Sequence, residues 1–331
     1  MTMFKNNFFM ATLIQVVFLG ACSKNEAQSP QSITPDVIQF TQLGLYPEGV
    51  AFDQNSKTYF VSSLTKGAIG TVNDQGVYQV FANDNNLVST TGIVVDRAQN
   101  RLLVAIADPG TSTKTTMLTQ GKLGAIAIYN LTNGQQISYI NLGILKPTAN
   151  HFANDMAVDN LGNIYVTDSF AGIIYKINTQ GVASIFYENS AFEAPAGAFG
   201  LNGIVFHPNG YLIVAKYNEG ILYKIPLQNP SSFSQIVLPQ TIKGADGLSI
   251  DNTNANTLVV ACNDTTNKVF QINTTNNWST ATITATFDTG NVFPTTIASR
   301  NNDKYVLYAR LNNLFSGQSS DNVFQIQKIK F

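Results

Sequence analysis

LNGIVFHPNGYLIVAKYNEGILYKI, residues 201–225, contains the fold in miniature. A polar residue and glycine, Asn202-Gly203, open a short apolar run; the turn HPNG follows, then the β-branched run YLIVAK from Tyr211, then Gly220 and ILYKI. Short apolar runs of this kind, bounded by turn formers, are strands rather than helices. The same opening recurs as PEGVAFD at Glu48, TGIVVD at Thr91, NDMAVD at Asn154, DGLSID at Asp246 and TTIASR at Thr295. Successive openings lie 43, 63, 48, 44 and 49 residues apart. A period near 40 to 50 residues in an all-β pattern is that of propeller blades, so six copies predict an all-β, six-bladed β-propeller.

Each opening is followed by a second apolar run, among them TYFVSS from Thr58, IYVTDS from Ile164 and TLVVAC from Thr257. A third strand stands just after a glycine in most copies, as in GIIYKI at Gly172, and a more polar fourth strand closes the blade. The sixth copy ends after its third strand, NVFQIQKIKF, whereas DVIQFTQL at Asp36 is a strand without a blade. The N-terminal segment is therefore expected to complete blade six, which leaves no open sheet edge.

If every blade starts alike, its first residue faces the central axis. Glu48, Asn154, Asn202 and Asp246 then converge, and two carboxylates with two amide oxygens suit a hard cation. Asn-Gly and Asp-Gly are also common turn formers, so Asn202 and Asp246 alone are equally compatible with chain reversal. Glu48 is not a turn former, and separate turn residues follow later in each repeat, which favours the metal reading. Thr91 and Thr295 are poorer ligands, suited to binding through water or to packing.

The ordered set PEGVAFD, FANDMAVD, LNGIVFHPNG and ADGLSID resembles the senescence marker protein/gluconolactonase/regucalcin family, from about Asp36 to the end of the chain. More loosely it is similar to diisopropyl fluorophosphatase, paraoxonase and strictosidine-synthase-like propellers, and YPEGVAFD, GNIYVTDS and GADGLSID are similar to a calcium-dependent phosphotriesterase-like group. The resemblance implies six blades and a calcium ion, or another divalent cation such as zinc or manganese, held by Glu48, Asn154, Asn202 and Asp246. It also implies Asp246 as both ligand and base.

An open divalent site polarises a carbonyl or phosphoryl oxygen, which points to hydrolysis of lactones or related esters. A phosphotriesterase-like hydrolase with the same site and a non-enzymatic propeller with a structural ion are the alternatives. A carboxylate beside a cation is a weakened base, so His151, three residues before Asn154, is the other candidate; its alternative is a rim histidine. His207, in the HPNG turn, is expected to be structural. Loops leaving the second strands place Ser63, Asp108, Asp168, Tyr217, Asn263 and Arg310 near the rim, with Asp168, Tyr217 and Arg310 as substrate contacts. Two loops are candidate lids, 109–122 and 191–200.

The 331-residue chain is 44% hydrophobic and 12% charged, with a net charge of −1. Without a basic stripe it has no footprint for nucleic acid, and the expected partner is a small-molecule substrate acted on by a monomer. Lys5, the apolar run 8–18 and Leu19-Gly20-Ala21-Cys22 resemble a bacterial lipoprotein signal. This predicts a signal peptide at 1–21, lipidation of Cys22, a flexible tether over 22–35 and a propeller over 36–331, with the protein held by its lipid to a membrane of the bacterial cell envelope. Ser23 favours the outer membrane. An ordinary secretory signal, or an uncleaved anchor, with Cys22 incidental, is the alternative. Cys262, left without a partner, reads as a small buried apolar residue.

Overall fold

The computed structural model describes the compact unit Pro35–Phe331, apart from residues 252 and 319, and residues 1–3, 5 and 34. Residues 4 and 6–33, which hold the rest of the signal segment, Cys22 and most of the tether, lie outside the described residues. No helix among the described residues is long and apolar enough to cross a membrane.

Six four-stranded antiparallel sheets form the six blades of a β-propeller. In blade four the strands run outward as Leu201–His207, Tyr211–Lys216, Ile221–Pro226 and Ser234–Ile236. The innermost strand of each blade packs on that of the next, and that of blade one packs on that of blade six, which closes the ring. Second strands such as Arg101–Ala107 and Thr257–Cys262 are buried along their whole length, because each lies between two neighbouring sheets. The outermost strand Thr282–Asp288 alternates exposed and half-buried residues, as one solvated face requires.

Blade six closes as the sequence predicts. Val37–Thr41 pairs with Val323–Lys328 from Val37↔Gln327 to Thr41↔Val323. Ile38 and Phe40 turn inward onto Phe324 and Ile326, and Lys328 N–H donates to the Asp36 carbonyl at 2.8 Å.

Two features shape the start of the innermost strands. In blades two to six the register slips by one residue at the start of the innermost strand: Ala153 pairs with Asp168 but Met156 with Val166, so Asn154 and Asp155 together oppose Thr167. Such a bulge bends the strand and redirects its side chains. The glycine that follows the first residue answers a second demand. A Cβ on Gly203 would stand 2.0 Å from the Asp246 carbonyl oxygen, and one on Gly247 would stand 2.6 Å from that of Thr295. Adjacent innermost strands approach too closely there for a side chain. Asn202-Gly203 and Asp246-Gly247 are therefore strand residues, not the turn that Asn-Gly and Asp-Gly pairs also allow.

Candidate metal centre and cavity

At the end of the channel where the innermost strands begin lies a cavity of about 210 Å³. Glu48, Asn154, Asn202 and Asp246 all line it, brought together from four blades, and each is at most 7% exposed. Three of their oxygens, Glu48 Oε2, Asn154 Oδ1 and Asn202 Oδ1, are buried and have no hydrogen-bond partner. A buried acceptor without a donor costs free energy, and three on residues that line one cavity suit a bound cation. The residues thus fit a hard divalent ion. No group of three or more His, Cys, Asp or Glu suited to a metal occurs among the described residues; this set consists of two carboxylates and two amides.

Neighbouring side chains fix how the oxygens point. Ser169 Oγ donates to the Leu201 carbonyl, so it must accept from Asn154 Nδ2, at 2.9 Å, which turns Asn154 Oδ1 away from Ser169. Asn263 Nδ2 donates to Asp246 Oδ2 at 2.5 Å, while Asn263 Oδ1 accepts from the Tyr217 hydroxyl at 2.7 Å. Thr91 Oγ1 is engaged with the Ala153 carbonyl at 2.9 Å, whereas Thr295 Oγ1 is buried without a partner.

The electrostatics point the same way. Burial, then the charges of Asp246 and Asp155, hold Glu48 well above the usual carboxylate range. Burial, then Asp155, also raises Asp246, with Asn263 and Asn202 opposing. Asp155, which lines the channel beyond the cavity, is pushed up to about 7 by burial, against hydrogen bonds from Met156 and Ile204. Three mutually repelling buried carboxyls resist ionisation unless a cation compensates them. Asp155 was not singled out in the sequence because only the first residue of each opening was read as facing the axis. It occupies the position held by glycine in four of the other five openings, and that departure was the available signal.

His151 and Asp168 are not at the rim. His151 Nδ1 lies 2.8 Å from Asp168 Oδ2 and Nε2 lies 3.0 Å from the Lys146 carbonyl, and both side chains are almost fully buried. Burial opposes the imidazolium, but the hydrogen bond and charge of Asp168 outweigh it and raise the His151 pKa. Asp168 Oδ1 also accepts from the backbone N–H groups of Phe152, Phe170 and Ala171. Neither residue lines the cavity, and every polar atom of the pair serves to hold the chain entering blade three. Ser63 and Asp108 are likewise buried and bonded locally, Ser63 to the Leu45 carbonyl and Asp108 to Thr115 and Thr119. Tyr217 and Asn263 do reach the cavity; Arg310 does not line it. His207 stacks on Tyr211 and accepts from Asn209 N–H in its turn. Cys262 is a buried free thiol.

Apart from Asp264, the remaining lining residues are apolar: Leu64, Phe152, Phe199, Phe293, Leu311 and Phe315. Phe199, from the 191–200 loop, packs against Phe152 and Phe170, so that loop forms part of the wall. The 109–122 loop contributes no lining residue; Lys114 pins it to the Gly67 and Asp84 carbonyls and to Asn83, away from the cavity. Leu311 and Phe315 sit on the single α-helix found among the described residues, Leu311–Phe315. The sequence reading missed it; Leu311, Leu314 and Phe315 carry helical spacing over a stretch too short to register.

Three solved structures place this architecture. The Malassezia sympodialis allergen Mala s 1 superposes with a TM-score of 0.70 at 18% identity, over 89% of this chain and 96% of that one. A luciferin-regenerating enzyme gives 0.60 at 15%, over 88% and 94%. A protein provisionally assigned as a gluconolactonase gives 0.57 at 11%, over 88% and 92%. The likeness agrees with the propeller fold of this chain. No family model matches the sequence, and no curated protein matches it. At such identities the likeness establishes the fold alone.

Proposed function

We propose that this protein is a divalent-cation-dependent hydrolase of lactones or related esters with an apolar body, of the senescence marker protein/gluconolactonase kind. The observation that carries the proposal is the trio of buried, partnerless oxygens on Glu48, Asn154 and Asn202, facing the same cavity as Asp246. These four residues would hold the ion, calcium by the oxygen-only donor set. When bound, such an ion polarises the scissile carbonyl or phosphoryl oxygen and steadies the oxyanion.

The chain's own residues do the rest. Four phenylalanines and two leucines take the substrate's apolar portion and exclude water, leaving the ester group at the polar floor. Asp246 is the carboxylate oriented by side-chain hydrogen bonds, from Asn263 and Asn202, and is assigned to accept the proton of the attacking water. Tyr217 keeps Asn263 turned toward it.

A second reading, a propeller that binds an apolar ligand above a structural ion, is favoured by one observation: no imidazole lines the cavity, since the ring of His151 is fully engaged elsewhere. A panel of alkyl and aryl lactones, esters and phosphotriesters, run with calcium and with chelator, separates the two. Turnover that requires the ion and disappears in D246N supports the hydrolase. A cation bound stoichiometrically without turnover on any member supports the binding protein. The Leu19–Cys22 run supports anchoring in a bacterial envelope, which mass spectrometry of the mature N-terminus would test by the presence of acyl chains on Cys22.

A further inference from the structure

The far end of the channel breaks the repeat in one corner. A second cavity, about 380 Å³ and so of small-molecule size, lies there among the later residues of the innermost strands. The fourth residue of each opening is Ala51, Val94, Ala157, Val205 and Ala298 in five blades, but Ser249 in blade five. The fifth is Phe52, Val95, Val158, Phe206 and Ile250, but Ser299 in blade six. Opposite Ser299 on the second strand stands Lys304, where the equivalent residues are Tyr59, Leu102, Ile164, Leu212 and Leu258. Three polar residues thus replace apolar ones at adjoining positions of neighbouring blades, and they touch.

Lys304 Nζ donates to Ser249 Oγ at 2.9 Å, Ser299 Oγ at 2.7 Å and the Ile250 carbonyl at 2.9 Å. Those three bonds use every hydrogen of the ammonium. Both serine oxygens are therefore acceptors toward Lys304 and keep their own hydrogens. They lie 3.1 Å apart, so one hydroxyl donates to the other and at least one hydrogen remains, with no protein acceptor among the described residues. No carboxylate there lies within ion-pair distance of Lys304: Asp251, the nearest acidic influence, is occupied by Thr253 and Asn254. Burial pulls the Lys304 pKa down, as expected for an ammonium short of compensating charge. Ser249 and Ser299 line the cavity with Lys304 behind them, and hydroxyls that accept from a cation are strengthened as donors.

We infer that this corner is a carboxylate-binding site, in which the Ser249 and Ser299 hydroxyls, backed by Lys304, take the head group of a small monocarboxylic acid whose apolar body lies in the channel mouth. The anion supplies the charge that Lys304 lacks, and the surrounding alanine, valine and phenylalanine side chains supply the apolar surface. Ser249, Ser299 and Lys304 do not line the cavity around Glu48, and Asp155, which lines this second cavity too, stands on a different blade; binding here does not depend on hydrolysis there.

Calorimetric titration of the full-length protein in chelator, with octanoate and with octanamide as its neutral counterpart, tests this. Octanoate should bind at least tenfold more tightly than octanamide. S249A/S299A, which keeps the lysine, and K304M, which restores an apolar residue, should each erase that preference, and E48Q should leave it intact. Absence of octanoate binding, equal affinity for the two probes, a preference that survives in S249A/S299A, or one lost in E48Q would each overturn the assignment.

Discussion

The side-chain amide of Asn154 is held by the hydroxyl of Ser169, and the direction of that 2.9 Å hydrogen bond decides which end of the amide faces the cavity. Because Ser169 already donates to the Leu201 carbonyl, it accepts only from the amide nitrogen. S169A frees the amide to rotate and to present nitrogen to a cation. Calcium affinity measured by calorimetry should fall by roughly 10- to 100-fold, as when other outer-sphere partners of metal ligands are removed, with the melting temperature in chelator changed far less.

The raised carboxyls predict an unusual pH profile. With folded pKa values above their unfolded ones, protonated Asp155 and Asp246 contribute stability that is fully present below the ordinary aspartate pKa of 3.8; it is lost as pH climbs and is gone once pH has passed through about 7. In chelator the melting temperature should therefore decline between pH 5 and 8. Calcium should reverse the decline, with its largest effect at pH 8, where protons no longer compete. At 100 times the dissociation constant the gain should be about 2.7 kcal/mol. A stabilisation by calcium that is constant from pH 5 to 8 would contradict the cited shifts.

His151 is predicted to matter for stability and not for chemistry. Removing its ring strips Asp168 Oδ2 of one buried partner while the Tyr175 hydroxyl remains within 3.3 Å. H151A should cost about 2–3 kcal/mol in denaturant unfolding, with calcium affinity and kcat of the folded fraction near those of the parent. A fall in kcat of a hundredfold or more with normal calcium binding would reinstate it as a base.

The close approach of the innermost strands makes Gly203 a sensitive position. G203A drives a methyl group into the Asp246 carbonyl, so either strand must shift. Overpacking of this kind costs about 1–3 kcal/mol. Because the displaced residue is itself a proposed ligand, calcium affinity should drop together with stability, unlike in H151A.

The ring was legible in the sequence because each blade repeats the same alternation of apolar runs and turn formers, and because the unpaired strand at Asp36 matched the one missing after Lys328. The meeting of Glu48, Asn154, Asn202 and Asp246 was legible for the same reason: equal positions in equal blades face one axis. What repetition could not convey is what differs between blades. Burial of His151 depends on Asp168 and Lys146, at the end of the second strand of its blade and in the loop before it. The wall made by Phe293, Leu311 and Phe315 comes from blade six alone, and the bulge that turns Asn154 inward is a property of strand pairing that no single strand displays. The 109–122 loop looked like a lid from its length, whereas the bonds of Lys114 and Asp108 decide its place.

The pairing of Val37–Thr41 with Val323–Lys328 also imposes an order in time. On the ribosome the first of these strands emerges about 280 residues before its partner, on the order of tens of seconds at ordinary rates of synthesis. Throughout that interval Ile38 and Phe40 lack Phe324 and Ile326, while blades one to five can form from contiguous chain. The last strand to be made thus finishes a structure whose other half was made first, and a chain halted short of Val323 carries both an idle strand and an open edge, a form fit for capture by a chaperone or by another copy of itself.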